Sequence, residues 1–113
     1  MSDQPWREPA FLVLTALAGS PLHGYSIVED VLRISDGRVK LHTGTLYAVL
    51  DRLREAGLVE VEREEIVDSR LRRYYRLSTA GAERLAAEAD RMQRNAAAAT
   101  LRLRRLRPQA GTT

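Results

Sequence analysis

The hydrophobic period of this chain changes twice, at Gly57 and at Ser78, and those two changes leave few folds open. Within Leu41–Leu58, the residues Leu46, Val49, Leu50 and Leu53 fall at i, i+3, i+4 and i+7, the single stripe of a short helix. After Gly57 the period becomes 2: in Val59-Glu60-Val61-Glu62 the valines face one way and the acids the other. A second strand is predicted at Arg72–Leu77, with Glu64–Leu71 as a hairpin tip that holds Asp68, Ser69 and Arg70. From Ser78, a good N-cap, helical spacing returns. Leu85, Ala89, Met92, Ala96, Ala99, Leu103 and Leu106 are separated by 4, 3, 4, 3, 4 and 3, a heptad seam carried for three repeats.

Two further helices precede the first change. Ala10–Ala18 is too apolar for a helix with one wet face and reads as the central buried helix, ended by Gly19-Ser20-Pro21. His23–Ser35 is a second helix with Tyr25, Ile27, Val28, Val31, Leu32 and Ile34 as its apolar set. Asp36-Gly37 makes a turn, and Arg38–Leu41 alternates as a very short strand would. Three helices followed by a ribbon is the order of a winged helix-turn-helix. The predicted fold is therefore mainly α with a small β-hairpin: a winged helix-turn-helix plus a long C-terminal dimerisation helix. Residues 1–9 read as a flexible arm, since Pro5 and Pro9 oppose an early helix, with Trp6 over a core edge or against a partner chain. Residues 10–77 form the DNA-binding domain, 78–107 the dimerisation helix and 108–113 a disordered tail.

The third helix carries the functional argument. Opposite its apolar stripe lie Gly44, Thr45, Tyr47, Ala48, Asp51 and Arg52, a low polar face that can enter a major groove closely. The same face would also suit a surface helix of any small domain. Either His42 or Thr43 can cap its first turn, and Gly57 takes the αL position after its end. Asp51 either selects a cytosine amino group or orients Arg52 by an ion pair, and the second is favoured. In the ribbon, Arg70, Arg72, Arg73 and Arg76 are candidates for phosphate or minor-groove contact. Glu60, Glu62, Glu64 and Glu65 balance the same hairpin, so two or three of the four arginines are expected to engage. The candidate DNA-contacting set is thus His42, Thr43, Gly44, Thr45, Tyr47 and Arg52, with the four wing arginines.

The last helix spans about 40 Å from Thr79 to Leu106 at 1.5 Å per residue, too long to lie along so small a domain. A second copy of the chain is the simplest partner for its distal half, with the seam residues from Leu85 to Leu106 as the interface. The alanines at mid-seam either let two helices approach closely or leave a gap; a gap would put a small-molecule effector beside Met92, Ala96 and Ala99. A membrane-surface helix is the competing account, against which stands an apolar face too rich in alanine to insert strongly.

Composition bounds the rest. The chain has no cysteine, which removes disulfides and thiolate zinc and fits a reducing cytoplasm. No apolar run of membrane-spanning length or secretory signal pattern is present, so a cytoplasmic protein without membrane attachment is expected. The net charge is +3, but residues 78–113 carry seven basic and three acidic groups, whereas residues 43–77 carry seven of each. His23 has no second ligand at metal spacing and reads as structural, near the start of its helix. Without a Ser/His/Asp set, phosphate loop or metal-ligand cluster, no catalysis, metal or cofactor is expected.

The segments Leu22-His23-Gly24-Tyr25, Gly44-Thr45-Leu46-Tyr47 with Leu50, Arg52-Leu53 and Gly57-Leu58, and Arg73-Tyr74-Tyr75-Arg76-Leu77-Ser78 with Gly81 resemble, in order and spacing, the PadR family of bacterial transcriptional regulators. The resemblance is to the short subfamily with a single C-terminal helix. It implies a homodimeric repressor on a partly palindromic double-stranded operator, often released by a small molecule. His42-Thr43 stands where the family commonly has serine and proline, and Met92 where some drug-binding members have tryptophan. The alternative reading is a winged-helix adaptor that binds protein rather than DNA, which the modest net charge and ribbon glutamates keep open.

Overall fold

The computed structural model describes the backbone of residues 8–111 and the side chains of residues 8–106; Trp6 and residues 1–7 of the expected arm lie outside the described residues. Its elements are α1 (Glu8–Gly19), β1 (Leu22–His23), α2 (Gly24–Ile34), α3 (Thr43–Glu55), β2 (Val59–Val67), β3 (Arg70–Leu77) and α4 (Thr79–Gly111). Together they form a winged helix-turn-helix with a long C-terminal helix. Helix α1 is the hub, touching α2, α3, α4 and β3. It buries Leu12, Val13, Leu14, Ala16 and Leu17, as a run interrupted by Thr15 alone among apolar residues requires. Against it pack Ile27 and Val31 of α2 and the predicted α3 stripe of Leu46, Val49, Leu50 and Leu53. Leu41, Leu58, Val59 and Tyr75 close the core.

Several boundaries differ from the sequence expectation. Glu8 and Pro9 belong to α1 rather than to the arm; proline is tolerated in a first turn, where its missing N–H has no helical partner to lose. Helical backbone continues past Leu106 to Gly111, where a tail was expected. No strand forms at Arg38–Leu41. Val39 and Leu41 alternate because they pack on the core, while a tight turn with positive φ at Asp36 (54°) and Gly37 (83°) leads into the segment. The Ser35 hydroxyl holds that turn, donating to the Leu32 carbonyl and accepting from the Val39 N–H at 2.9 Å. In α2, Tyr25 is 70% exposed and Ile34 is exposed, so neither belongs to the buried set. Tyr25 flanks the stripe of Gly24, Ile27 and Val31, and Ile34 is the helix's last residue.

The sheet has three strands, in the antiparallel order β1-β3-β2, rather than the expected two. The added strand is the Leu22–His23 pair, which lies opposite Tyr75 and Tyr74. The ribbon is also longer than expected, and its tip is a two-residue turn at Asp68-Ser69. Both turn residues have positive φ, 52° and 66°, as a type I′ hairpin turn demands. The ladder between β2 and β3 has an irregularity near its base. Its register shifts between Val61 and Arg63, so that a bulge at Glu62 puts Arg63, not an acid, opposite Tyr74.

Ser78 joins ribbon, α3 and α4. Its hydroxyl donates to the Gly57 carbonyl at 2.6 Å and accepts from the Gly81 N–H at 2.9 Å, while its own N–H donates to the Leu58 carbonyl. Gly81 allows this approach: a Cβ there would run into the Leu58 carbonyl. Gly57 itself has φ 77°, the αL conformation expected of it.

Candidate nucleic-acid interface

Helix α3 offers the surface that its sequence predicts. With the apolar stripe buried, His42, Thr43, Gly44, Thr45, Tyr47, Ala48, Asp51 and Arg52 are all exposed. His42 occupies the N-cap position, but its side chain makes no capping hydrogen bond. Asp51 and Arg52 form no ion pair among the described residues; adjacent helical positions diverge by about 100°. Tyr47 is set by its neighbours. A Cβ at Gly24 would fall 2.6 Å from the Tyr47 Oη, so glycine at the start of α2 is what admits the phenol. The buried Tyr75 lies on the same side. Burial pushes its phenol up, against a hydrogen bond from Arg73, with Tyr47 and Arg54 close by.

The wing divides its four candidate arginines. Side chains alternate along β3, so Arg70, Arg72, Tyr74 and Arg76 share one face, and Arg73 continues the face of Tyr75. Arg76 pairs with Glu60 at 2.9 Å and Arg73 with Glu64 at 2.7 Å, each across the ladder. Glu64, with Tyr75, holds the Arg73 guanidinium above its ordinary value. Arg70 and Arg72 have no hydrogen bond or ion pair among the described residues. They sit nearest the turn, where the ribbon projects farthest from the core. The structure therefore groups Arg70, Arg72 and Arg73 near the tip and leaves Arg76 apart, at the wing's base, neutralised.

A row across the sheet supports this wing. Arg63, Tyr74 and His23 are consecutive partners in the ladder. The Arg63 guanidinium lies 3.8 Å above the Tyr74 ring, and the His23 ring meets Tyr74 edge-on with centroids 5.3 Å apart. The Tyr74 hydroxyl donates to Glu65 at 3.2 Å.

The expected interface on α4 is split. Leu85 packs on the domain's own core and Ala89 is half-buried, so these two seam residues already have an intramolecular partner. Met92, Ala96, Ala99, Leu103 and Leu106 are exposed, Leu103 and Leu106 each to 60%. Among the described residues no helix is long and apolar enough to cross a membrane, and no group of three His, Cys, Asp or Glu side chains could hold a metal ion.

The model of the transcriptional regulator PadR-like family matches residues 13–87, from inside α1 to the first part of α4. The chain belongs to this family. Its sequence is 41% identical over 88 residues to an uncharacterized 37.1 kDa protein in transposon TN4556 of Streptomyces fradiae, a match covering 78% of this chain but 24% of that protein. The fold is similar to that of a PadR family transcription regulator from Clostridium difficile R20291, with a TM-score of 0.72 at 19% identity, covering 86% of this chain and 99% of that one. It is also similar to Bacillus subtilis PadR, solved in complex with operator DNA, with a TM-score of 0.64 at 21% identity, covering 72% of this chain and 47% of that one.

Some features of this PadR-like surface have no counterpart in the sequence pattern. Strand β1 is two residues long, below the length at which a period can be seen. The bulge that seats Arg63 on Tyr74 has no apolar signature either. One signal does mark the longer ribbon: Glu60, Glu64 and Glu65 stand opposite Arg76, Arg73 and Arg72, a complementary charge pattern that identifies cross-strand neighbours.

Proposed function

We propose that this PadR-like chain is a homodimeric repressor that binds a partly palindromic operator in double-stranded DNA, at its own or a neighbouring promoter. One observation carries the reading: an exposed, low-profile α3 face stands beside a wing whose far end holds two arginines without carboxylate partners among the described residues. Thr43, Gly44, Thr45 and Tyr47, with His42 and Arg52, meet base edges and phosphates of a major groove. Arg70 and Arg72, joined by Arg73 once it leaves Glu64, fix the wing on the flanking backbone. The operator complex of Bacillus subtilis PadR supports this mode of use. Two α3 helices would occupy successive major grooves about 34 Å apart.

Dimerisation in this reading uses the distal seam of α4, whose exposed leucines lack an intramolecular partner. A small-molecule effector would bind between the two α4 helices and the α1 helices, beside Met92, Ala96 and Ala99, and change the spacing of the two α3 helices. A winged-helix adaptor is the competing function, favoured by the glutamates that neutralise Arg73 and Arg76.

Salt dependence separates the two. Each phosphate neutralised contributes about −0.9 to the slope of log K against log salt. Replacing Arg72 by alanine weakens binding to all duplexes similarly and flattens that slope by about one unit for each phosphate it ceases to neutralise. Footprinting over the upstream DNA shows protection at two half-sites. Absence of protection, with no salt-sensitive duplex binding, would favour the adaptor.

A further inference from the structure

Because β1 pairs with Tyr74 and Tyr75 alone, residues 70–73 of β3 keep one edge unpaired. Along that edge runs an open cleft of ≈ 600 Å³. The start of α2 and Tyr47 form one wall, Arg70, Arg72 and Arg73 the other, and Asp68 at the turn is the acidic residue in its lining. His23 belongs to the first wall. Its Nε2 lies 3.0 Å from the Ser26 hydroxyl, and its Nδ1 has no hydrogen bond among the described residues. A half-buried imidazole and two cations without carboxylates thus face one open space, whose mainly polar and basic lining suits an anion rather than an apolar ligand.

We infer that this cleft seats a backbone phosphate of duplex DNA, and that His23 takes up a proton when the phosphate arrives. This rests on the DNA-binding reading above and adds to it a contact residue and a coupling to pH. Charged and titratable groups reach His23 from three elements: Arg72 and Tyr74 on β3, Glu65 on β2, and Glu29 on α2. In the free protein, burial and then the Arg72 guanidinium hold the imidazole below its ordinary value, outweighing Glu29 and Glu65. The free imidazole is therefore harder to protonate than an ordinary one. A phosphate beside Arg72 cancels that repulsion and adds negative charge near the ring, which favours the imidazolium. Between the free and bound values, each His23 engaged binds one proton on association. By linkage, affinity then falls as pH rises, by up to about tenfold per pH unit for each His23 engaged. Below the free value both states are protonated and the dependence ends.

The test uses the full chain and a fluorescein-labelled mixed-sequence duplex of about 30 bp at low salt, since phosphate contacts need no particular sequence. Anisotropy from about pH 5.5 to 8 brackets histidine titration. Wild type loses affinity with rising pH; His23→Gln, which keeps a polar group for Ser26, binds with a nearly flat profile. Calorimetry on the wild type, in two buffers of different ionisation enthalpy near neutral pH, reads the proton uptake directly and needs no variant to fold. Duplex binding that is independent of pH, or a slope retained in His23→Gln, overturns the His23 seat and leaves DNA binding standing. No duplex binding at any pH overturns both.

Discussion

From Thr79 to Arg91, α4 is tied to its own domain; from Met92 to Leu106 its side chains are exposed, although one heptad seam runs unbroken through both halves. In the proximal half, Ser78 and Gly81 clamp the helix start onto Gly57 and Leu58, Leu85 packs against the core, and Glu88 is buried with an ion pair to Arg91. The distal half holds exposed Met92, Leu103 and Leu106, and the exposed Arg94–Asp90 pair spans the boundary. The family match ends at residue 87, close to the point where one environment gives way to the other. A heptad period states that a stripe will be buried and is silent about what buries it. Here the same period serves an intramolecular contact first and, in the proposed dimer, an intermolecular one afterwards.

The sharpest way to break the proximal half is Gly81→Ala. Its Cβ would collide with the backbone carbonyl of Leu58, which cannot swing aside as a side chain does, and the expected loss is about 3 kcal/mol. Denaturant midpoints check this, and an unchanged midpoint would mean that α4 can slide along Leu58 without cost. The distal half is broken differently. Leu103→Asp combined with Leu106→Asp puts unpaired carboxylates into the proposed desolvated interface and should weaken self-association at least about 100-fold, equivalent to about 2.7 kcal/mol. Sedimentation reads the association, and far-ultraviolet circular dichroism shows whether the winged domain survives. A dimer that persists would place the interface elsewhere. The smallest effect belongs to Ser78→Ala, which removes a cap and the bond to Gly57 at a cost of about 1–2 kcal/mol. That change lowers the midpoint and leaves the oligomeric state alone; a loss of dimer would show that the two halves of α4 are coupled.

Much of the arrangement was legible in the residues. The α3 stripe, the buried α1, the Ser78 cap and the αL glycine at 57 are local patterns, and each is found in the structure. The ribbon was harder. Beyond Val61 its strands project from the core with both faces wet, so Ile66 is 74% exposed and Leu71 58%, and no buried face imposes alternation. Charge pairing across the ladder, rather than hydrophobicity, marks those residues as neighbours. The Arg38–Leu41 segment misled for the converse reason: its alternation reports packing on the core, and alternation looks alike with or without a partner strand.

What the sequence by itself determined, then, is where each helix lies and which stripe it buries, because helical period and caps depend on residues within a few positions of one another. The tertiary structure alone decided which charges cancel. Arg73 and Arg76 meet glutamates 9 and 16 positions away, while Arg70 and Arg72 meet none among the described residues. That outcome turns on strand register and on one bulge at Glu62. It likewise brought His23 from the start of α2 to the edge of the wing, through a strand two residues long. Such placements arise from contacts between distant segments, whose partners no local period encodes.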